Sequence, residues 1–238
     1  MNRVILFDIY GTVAGWEPSR FEIQKAACSA FGFGDMITPE GILHGYGNAD
    51  AFMTTENAHS PVRLRDDAGK AEFFSEYQRL VLEGCGVHVS RDQALEIFRK
   101  VREIPYQLAI FDDVRPAFEK LQKLGLMVGL ISNIDQRGSE LVQDLGLGDL
   151  VDFAVTSGEA GAEKPSPLLF RAALNAAKVN PEDAIMVGDQ PSSDIEGALG
   201  VGIMPILIDR DGNYPCYKRC PRIVGLSDIC GILEEFKT

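Results

Sequence analysis

Five short apolar runs place the strongest restriction on how this 238-residue chain can fold. They are rich in valine, isoleucine and leucine: Val4–Phe7, Met127–Ser132, Phe153–Thr156, Ala184–Val187 and Ile203–Ile208. Short runs without alternating polar positions are typical of parallel strands that are buried on both faces. Amphipathic stretches lie between or beside them: Val114–Leu124, Gly138–Leu145, Pro167–Ala177 and Asp194–Leu199. This alternation predicts an α/β fold with a doubly wound, mostly parallel sheet.

The stretch from about Glu17 to Leu108 has a different character, because it contains helical patterns and no convincing buried strand. The helical patterns cover Arg20–Phe31, Asp67–Leu82 and Arg91–Arg102. We therefore predict a helical domain, residues 17–106, that is inserted into a core formed by residues 1–16 and 107–238. The linkers between the two are expected near Ala14–Pro18 and Pro105–Asp112.

The charge of the chain restricts its partners. The formal net charge is −12 and the sequence pI is about 4.7, which argues against nucleic acid and anionic membranes but allows a small anionic ligand. No apolar run approaches the ~18 residues that a membrane-spanning helix needs. Because Asp8 interrupts the first run too early for a secretory signal and the five cysteines are scattered, we expect a cytoplasmic protein with reduced thiols. The sequence does not indicate an oligomeric state.

Polar side chains follow four of the predicted strands. They are Asp8 after the first strand, Ser132 and Asn133 after the second, Lys164 in the loop after the third, and Asp189 and Asp194 after the fourth. Each has an ordinary explanation as a turn, cap or surface residue when it is considered alone. Because the carboxyl ends of parallel strands meet at one edge of a sheet, however, the set is expected to form one site.

These residues lie in four motifs that together resemble the haloacid dehalogenase-like hydrolase superfamily. The motifs are D-x-x-G-T from Asp8 to Thr12, S-N at Ser132-Asn133, K-P at Lys164-Pro165 and G-D-x-x-x-x-D from Gly188 to Asp194. The resemblance covers essentially the whole chain. It implies a Rossmann-like core, a helical insert that serves as a cap domain, and an Asp8 carboxylate that attacks the substrate to form a covalent aspartyl intermediate.

In the phosphatase branch of that superfamily, Ser132 and the Asn133 amide would hold phosphoryl oxygens, and Lys164 would offset negative charge. Thr12 would form a hydrogen bond within the first loop. Four groups would hold Mg²⁺: Asp8, the backbone carbonyl of Tyr10, Asp189 and Asp194. The resemblance therefore implies magnesium-dependent hydrolysis of a small phosphorylated metabolite.

Tyr10 departs from the phosphatase pattern, because phosphatases of this family usually carry a second aspartate there as general acid and base. A phenol with a pKa of about 10 is a poor base at neutral pH, so slow turnover of alcohol esters is expected. The same tyrosine is typical of 2-haloacid dehalogenases, which need neither that acid nor a metal. Asp189 argues against dehalogenation, because an ionised carboxylate near Asp8 needs a compensating cation. A metal-independent 2-haloacid dehalogenase and a non-catalytic binding protein remain as alternatives.

Overall fold

A computed structural model describes residues 4–235 of the chain. Within them the chain forms eight strands: β1 (Val4–Phe7), β2 (Ala14–Glu17), β3 (Gln107–Ile110), β4 (Met127–Ser132), β5 (Phe153–Thr156), β6 (Ala184–Gly188), β7 (Met204–Ile208) and β8 (Arg222–Ile223). The same residues form ten α-helices: α1 (Arg20–Ser29), α2 (Pro39–His59), α3 (Asp67–Glu83), α4 (Arg91–Glu103), α5 (Val114–Lys123), α6 (Gly138–Asp144), α7 (Ser157–Ala160), α8 (Pro167–Ala177), α9 (Glu196–Val201) and α10 (Ile229–Glu235). Every strand and helix predicted from the sequence is present, with bounds that differ by no more than two residues.

Six of the strands form one sheet in the order β5-β4-β1-β6-β7-β8. The pairings between neighbours, as far as the structure describes them, are all parallel. Val4 pairs with Met127 on one side and with Ala184 on the other, so β1 lies inside the sheet. The prediction of an α/β fold with a doubly wound, mostly parallel sheet is confirmed. Ligands of such sheets bind outside the carboxyl ends of the strands, where the strand order reverses.

Helices cover both faces of the sheet, which explains why its strands are apolar throughout. On β1, Ile5 and Phe7 belong to the apolar cluster that includes α5 and α6, whereas Val4 and Leu6 belong to the cluster that includes α8 and α9. Alternate residues of a strand point to opposite faces. Full burial of a side chain of this kind contributes roughly 1.5–3 kcal/mol. The strand that precedes Asp8 is therefore firmly held.

Contacts within the described residues divide the chain into two compact units, residues 4–15 with 108–235, and residues 16–107. The segments predicted as linkers contain β2 and β3, which pair with each other as a two-stranded sheet. The unit of residues 16–107 contains α1 to α4. No helix among residues 4–235 is both long enough and apolar enough to cross a membrane.

Helix α2 has no counterpart in the sequence analysis, because its glycines weaken the helical pattern. A Cβ atom at Gly45 would lie 2.1 Å from the carbonyl oxygen of Val81 on α3, and one at Gly41 would lie 2.9 Å from the carbonyl oxygen of Gly84. Each glycine lowers helix propensity by roughly 1 kcal/mol. These two nevertheless allow α2 and α3 to pack closely, so this segment is regular helix.

Candidate active site

The loops that follow β5, β4, β1 and β6 are adjacent, because these four strands are neighbours in the sheet. Asp8 follows β1 directly, and Lys164 lies in the loop between α7 and α8, beyond β5. The ammonium group of Lys164 donates hydrogen bonds to Oδ1 of Asp8 and, at 2.7 Å, to Oδ1 of Asp194. All three side chains are buried. The structure thus brings together groups from three of the four predicted loops.

Asn133 connects the loop after β4 to the loop that contains Lys164. Its side-chain Oδ1 accepts a hydrogen bond from the backbone N–H of Lys164 at 2.7 Å, and its Nδ2 donates to the carbonyl of Lys164 at 3.2 Å. The side-chain amide of Asn133 is therefore used to hold Lys164. Ser132, the residue before Asn133, is the last residue of β4.

The charges of Asp8 and Lys164 depend on their burial and on each other. Burial and, to a smaller extent, the charge of Asp194 raise the pKa of Asp8 to about 6, because together they outweigh the attraction of Lys164. Burial alone would lower the pKa of Lys164, but the charges of Asp194 and Asp8 outweigh it and hold that pKa above its usual range. At neutral pH, Lys164 is therefore a cation and Asp8 is mostly an anion.

Three carboxylates form a cluster that fits a divalent cation. Asp8, Asp189 and Asp194 each place one oxygen within 4.8 Å of the others. Lys164 forms ion pairs with two of these carboxylates, those of Asp8 and Asp194. Carboxylate oxygens are the hard ligands that Mg²⁺ prefers. The Oδ2 atom of Asp194 accepts a hydrogen bond from the backbone N–H of Gln190 at 3.0 Å, which fixes this carboxylate. Since its Oδ1 accepts a hydrogen bond from Lys164, Asp194 also orients Lys164.

The sequence match and the geometry agree on the family. Residues 2–202 match the family described as haloacid dehalogenase-like hydrolase. The chain belongs to this family of hydrolases.

Similar proteins within this hydrolase family include both phosphatases and dehalogenases. The phosphoserine phosphatase of Thermus thermophilus is 34% identical over 122 residues, which are 51% of this chain and 47% of that protein. The chain spans somewhat less than half the length of the curated relatives it matches. A 2-haloacid dehalogenase from Pseudomonas syringae, known from its crystal structure, has 26% sequence identity to this chain. The comparison covers 99% of this chain and 100% of that chain, with a TM-score of 0.58. A HAD phosphatase from Thermococcus onnurineus is 22% identical over 97% of each chain, with a TM-score of 0.54, which supports the fold alone.

Thr12 forms a hydrogen bond within the first loop through its backbone N–H, which donates to the carbonyl of Ile9 at 3.3 Å. Its Oγ1 is buried, and no hydrogen-bond partner for it lies among residues 4–235. The N–H groups of residues 13 and 14 donate to the same carbonyl of Ile9, both at 2.8 Å. Thr12 also fixes the loop through its backbone carbonyl, which accepts hydrogen bonds from Arg210.

Arg210 is a residue of the site that sequence reasoning missed. It lies two residues beyond Ile208, the end of β7, at the same edge of the sheet as the four motif loops. The signal that points to it is a cation two residues after a fifth predicted strand, at the edge of the sheet that carries the motif loops. The contact between Arg210 and Thr12 spans 198 positions of the sequence, so no local pattern encodes it.

Gly11 provides a direct test of the carboxylate cluster. Its φ is +81°, and a Cβ atom there would lie 2.4 Å from Oδ2 of Asp189. We expect Gly11→Ala to displace the Asp189 carboxylate and to weaken Mg²⁺ binding about 10- to 100-fold, as for other disturbed metal sites. Isothermal calorimetry with Mg²⁺ on the purified chain measures this loss.

Gly125→Ala is the matched control, because Gly125 has a φ of +73° and no atom lies within 4 Å of its added Cβ. Both variants should lose about 1–2 kcal/mol of unfolding free energy from the left-handed backbone. Only Gly11→Ala should lose Mg²⁺ affinity. Equal affinities in the two variants would contradict the placement of Asp189 at a metal site.

Proposed function

We propose that this protein is a magnesium-dependent phosphatase that acts on a small phosphorylated metabolite through a covalent aspartyl intermediate. One observation carries the proposal: Asp189 adds a third carboxylate to Asp8 and Asp194, and one oxygen of each lies within 4.8 Å of the others. That cluster suits a divalent cation. Without one it would repel a substrate that carries its own carboxylate, such as a haloacid. The phosphatases among the curated relatives support the same choice.

Asp8 is the nucleophile of the proposed reaction. Its carboxylate is mostly ionised at neutral pH and needs no base to activate it. One carboxylate oxygen forms a bond to phosphorus while the bond from phosphorus to the ester oxygen breaks, and the departing alkoxide takes up a proton. Lys164 orients Asp8 and offsets negative charge, and the Ser132 hydroxyl and the Asn133 backbone N–H donate to phosphoryl oxygens.

Water completes the reaction by attacking the phosphorus of the aspartyl phosphate, which releases inorganic phosphate and restores Asp8. The groups proposed to hold Mg²⁺ are Asp8, the backbone carbonyl of Tyr10 and Asp189, with Asp194 at the edge of the site. The bound ion supplies positive charge that polarises the phosphoryl group. Tyr10 supplies no carboxylate for proton transfer, so the enzyme should favour substrates with good leaving groups.

Tyr10→Asp tests whether this position lacks an acid and base. We expect the substitution to raise kcat for alkyl phosphates about 10- to 100-fold, because general acid–base catalysis is worth roughly 10²- to 10⁴-fold where it operates. The gain for an aryl phosphate should be smaller, because its leaving group needs no proton. Tyr10→Phe, which adds no acid, is the control and should give no gain. If Tyr10→Asp gives none either, the position is not equivalent to that of the second aspartate.

The helical unit of residues 16–107 is proposed to act as the cap that selects the substrate, in line with the predicted insert at residues 17–106. A cytoplasmic location is proposed as well, and the five free cysteines support it. The substrate is proposed to be a small anion rather than a nucleic acid or a membrane, in keeping with the net charge of −12.

A 2-haloacid dehalogenase is the second candidate function. Tyr10 favours it, and so does the whole-chain similarity to the dehalogenase from Pseudomonas syringae. In that reaction Asp8 displaces halide from carbon, and water then attacks the carboxyl carbon of Asp8. Neither step needs Mg²⁺.

A non-catalytic binding protein is a weaker candidate, because the ion pairs of Lys164 with Asp8 and Asp194 are intact.

Two parallel assays of the full chain separate these functions. One follows phosphate release from an aryl phosphate with Mg²⁺ and with EDTA, and the other follows halide release from 2-chloropropionate. The proposal predicts Mg²⁺-dependent phosphate release and no halide release. Metal-independent halide release would replace it with dehalogenation, and no turnover over a broad substrate panel would favour a binding protein.

A further inference from the structure

Arg210 joins three segments of the core that are distant in sequence. Its Nε and Nη2 donate to the backbone carbonyl of Thr12 at 3.2 and 2.7 Å. Its Nη1 and Nη2 donate to the two carboxylate oxygens of Asp113, both at 2.9 Å. Its guanidinium carbon lies 4.2 Å from the centre of the Phe111 ring. These contacts use the donors and the planar face of one side chain, which a lysine could not reproduce.

Asp113 is itself held on two sides. Its Oδ2 accepts a hydrogen bond from Arg210 and another from the backbone N–H of Leu226 at 2.8 Å. Burial would raise the pKa of Asp113, but the hydrogen bonds from Arg210 and Leu226 hold it below its usual range, so this carboxylate is ionised at neutral pH. A two-pronged arginine–carboxylate pair fixes orientation as well as distance.

The loop after β1 is fixed by hydrogen bonds at both of its ends, and the Thr12 carbonyl is the second of these two anchors. The backbone N–H of Asp8 is fixed to the sheet through the carbonyl of Val187 at 2.9 Å. Arg210 fixes the loop again four residues later. Ile9, Tyr10 and Gly11 lie between these anchors. Tyr10 has the carbonyl proposed as a metal ligand, and a Cβ atom added at Gly11 would meet the Asp189 carboxylate.

We propose that Arg210 is a positioning residue that holds the loop of residues 8–12 in its catalytic arrangement through the Thr12 carbonyl, with Asp113 as its brace. The effect of Arg210 on turnover rests on the proposed phosphatase function, whereas the effect of Arg210 on the loop does not. Arg210 touches neither Asp8 nor the other carboxylates of the cluster in the described contacts, so it acts through the backbone.

The chain offers a matched control in Arg222. This residue forms an ion pair of 2.8 Å with Asp209, a buried residue that is adjacent to Arg210 in the sequence. Asp209 additionally accepts the backbone N–H groups of Asn213 and Tyr214, so it keeps partners when Arg222 is replaced. Arg222→Met therefore removes a neighbouring ion pair without removing a contact to the loop of residues 8–12.

The experiment compares Arg210→Met, Arg210→Lys and Arg222→Met in the full chain. With saturating Mg²⁺ and an aryl phosphate, Arg210→Met should lower kcat about 10- to 100-fold with little change in KM, because small misplacements of reacting groups have effects of this size. Arg210→Lys should recover only part of the loss, and Arg222→Met should stay within about twofold of the native rate. Wild-type kcat in Arg210→Met, or an equal loss in Arg222→Met, would overturn the proposal.

Hydrogen exchange measured by mass spectrometry gives a second readout that does not depend on turnover. The peptide that contains residues 8–14 should exchange faster in Arg210→Met and at the native rate in Arg222→Met. This result would support the positioning role even if the native protein released no phosphate, in which case the proposed function alone would fail. Native exchange in Arg210→Met would overturn the positioning role.

Discussion

Replacing Asp8 with asparagine is expected to abolish turnover, with kcat lowered by at least about 10⁴-fold. The amide keeps the shape of the side chain but cannot attack phosphorus. The loss should be in kcat rather than in KM, because Ser132, Asn133 and Lys164 can still bind the substrate. Steady-state kinetics with an aryl phosphate and Mg²⁺ measures both parameters.

The fold should tolerate this change. Asp8 lies beside Asp189 and Asp194, so the neutral amide also removes repulsion within the cluster. We expect the melting temperature of Asp8→Asn to equal or exceed that of the native chain. Asp92→Asn, at an exposed site on α4, is the control and should keep native activity. Substantial residual turnover in Asp8→Asn would rule out Asp8 as the nucleophile.

Replacing Lys164 with methionine should have the largest effect on stability. The substitution leaves the buried carboxylates of Asp8 and Asp194 without their shared cation. Removing one partner of a buried ion pair costs about 3–5 kcal/mol, because the remaining charge stays buried. Urea unfolding at about pH 7.5, in EDTA, should show a fall of this size in the unfolding free energy.

The deficit of Lys164→Met should shrink as the pH falls. The native pKa of Asp8, about 6, already lies above its ordinary value, and removal of the ammonium group raises it further. A carboxyl group whose pKa is higher in the folded state binds protons there first, so lowering the pH through that range favours folding. The gain should be greater in the variant than in the native chain. Repeating the unfolding at about pH 5 tests this sign.

Lys123→Met, at the exposed end of α5, is the control for the loss of one lysine and should change stability by no more than about 0.5 kcal/mol. If Lys164→Met were as stable as this control at both pH values, the ammonium group would not be compensating the carboxylates. Lys164→Met should also lose phosphatase turnover, since Lys164 orients the nucleophile.

Much of the core could be predicted from the sequence, because its information is local. The runs Val4–Phe7 and Met127–Ser132 are apolar at every position but the last serine, as buried parallel strands require, and both are strands with those bounds. Once the strands are known, the geometry of a parallel sheet places Asp8 and Lys164 at one edge. Their contact in the structure follows from that topology.

The features that could not be predicted depend on contacts between distant segments. Helix α2 was missed because Gly41 and Gly45 make sense only beside α3. The role of Arg210 depends on the Thr12 carbonyl, and the role of the Asn133 side chain depends on the backbone of Lys164. In each case one partner is a backbone atom, which leaves no signature in the residue type.

The central claim is that Asp8 becomes covalently phosphorylated, and trapping that species tests it most directly. The full chain is mixed with an aryl phosphate and Mg²⁺, quenched in acid during turnover, digested and examined by mass spectrometry. The account predicts one added phosphoryl group on the peptide that contains Asp8, removed by hydroxylamine and absent from Asp8→Asn. Turnover without any adduct at Asp8, or an ester adduct formed from 2-chloropropionate in its place, would contradict it.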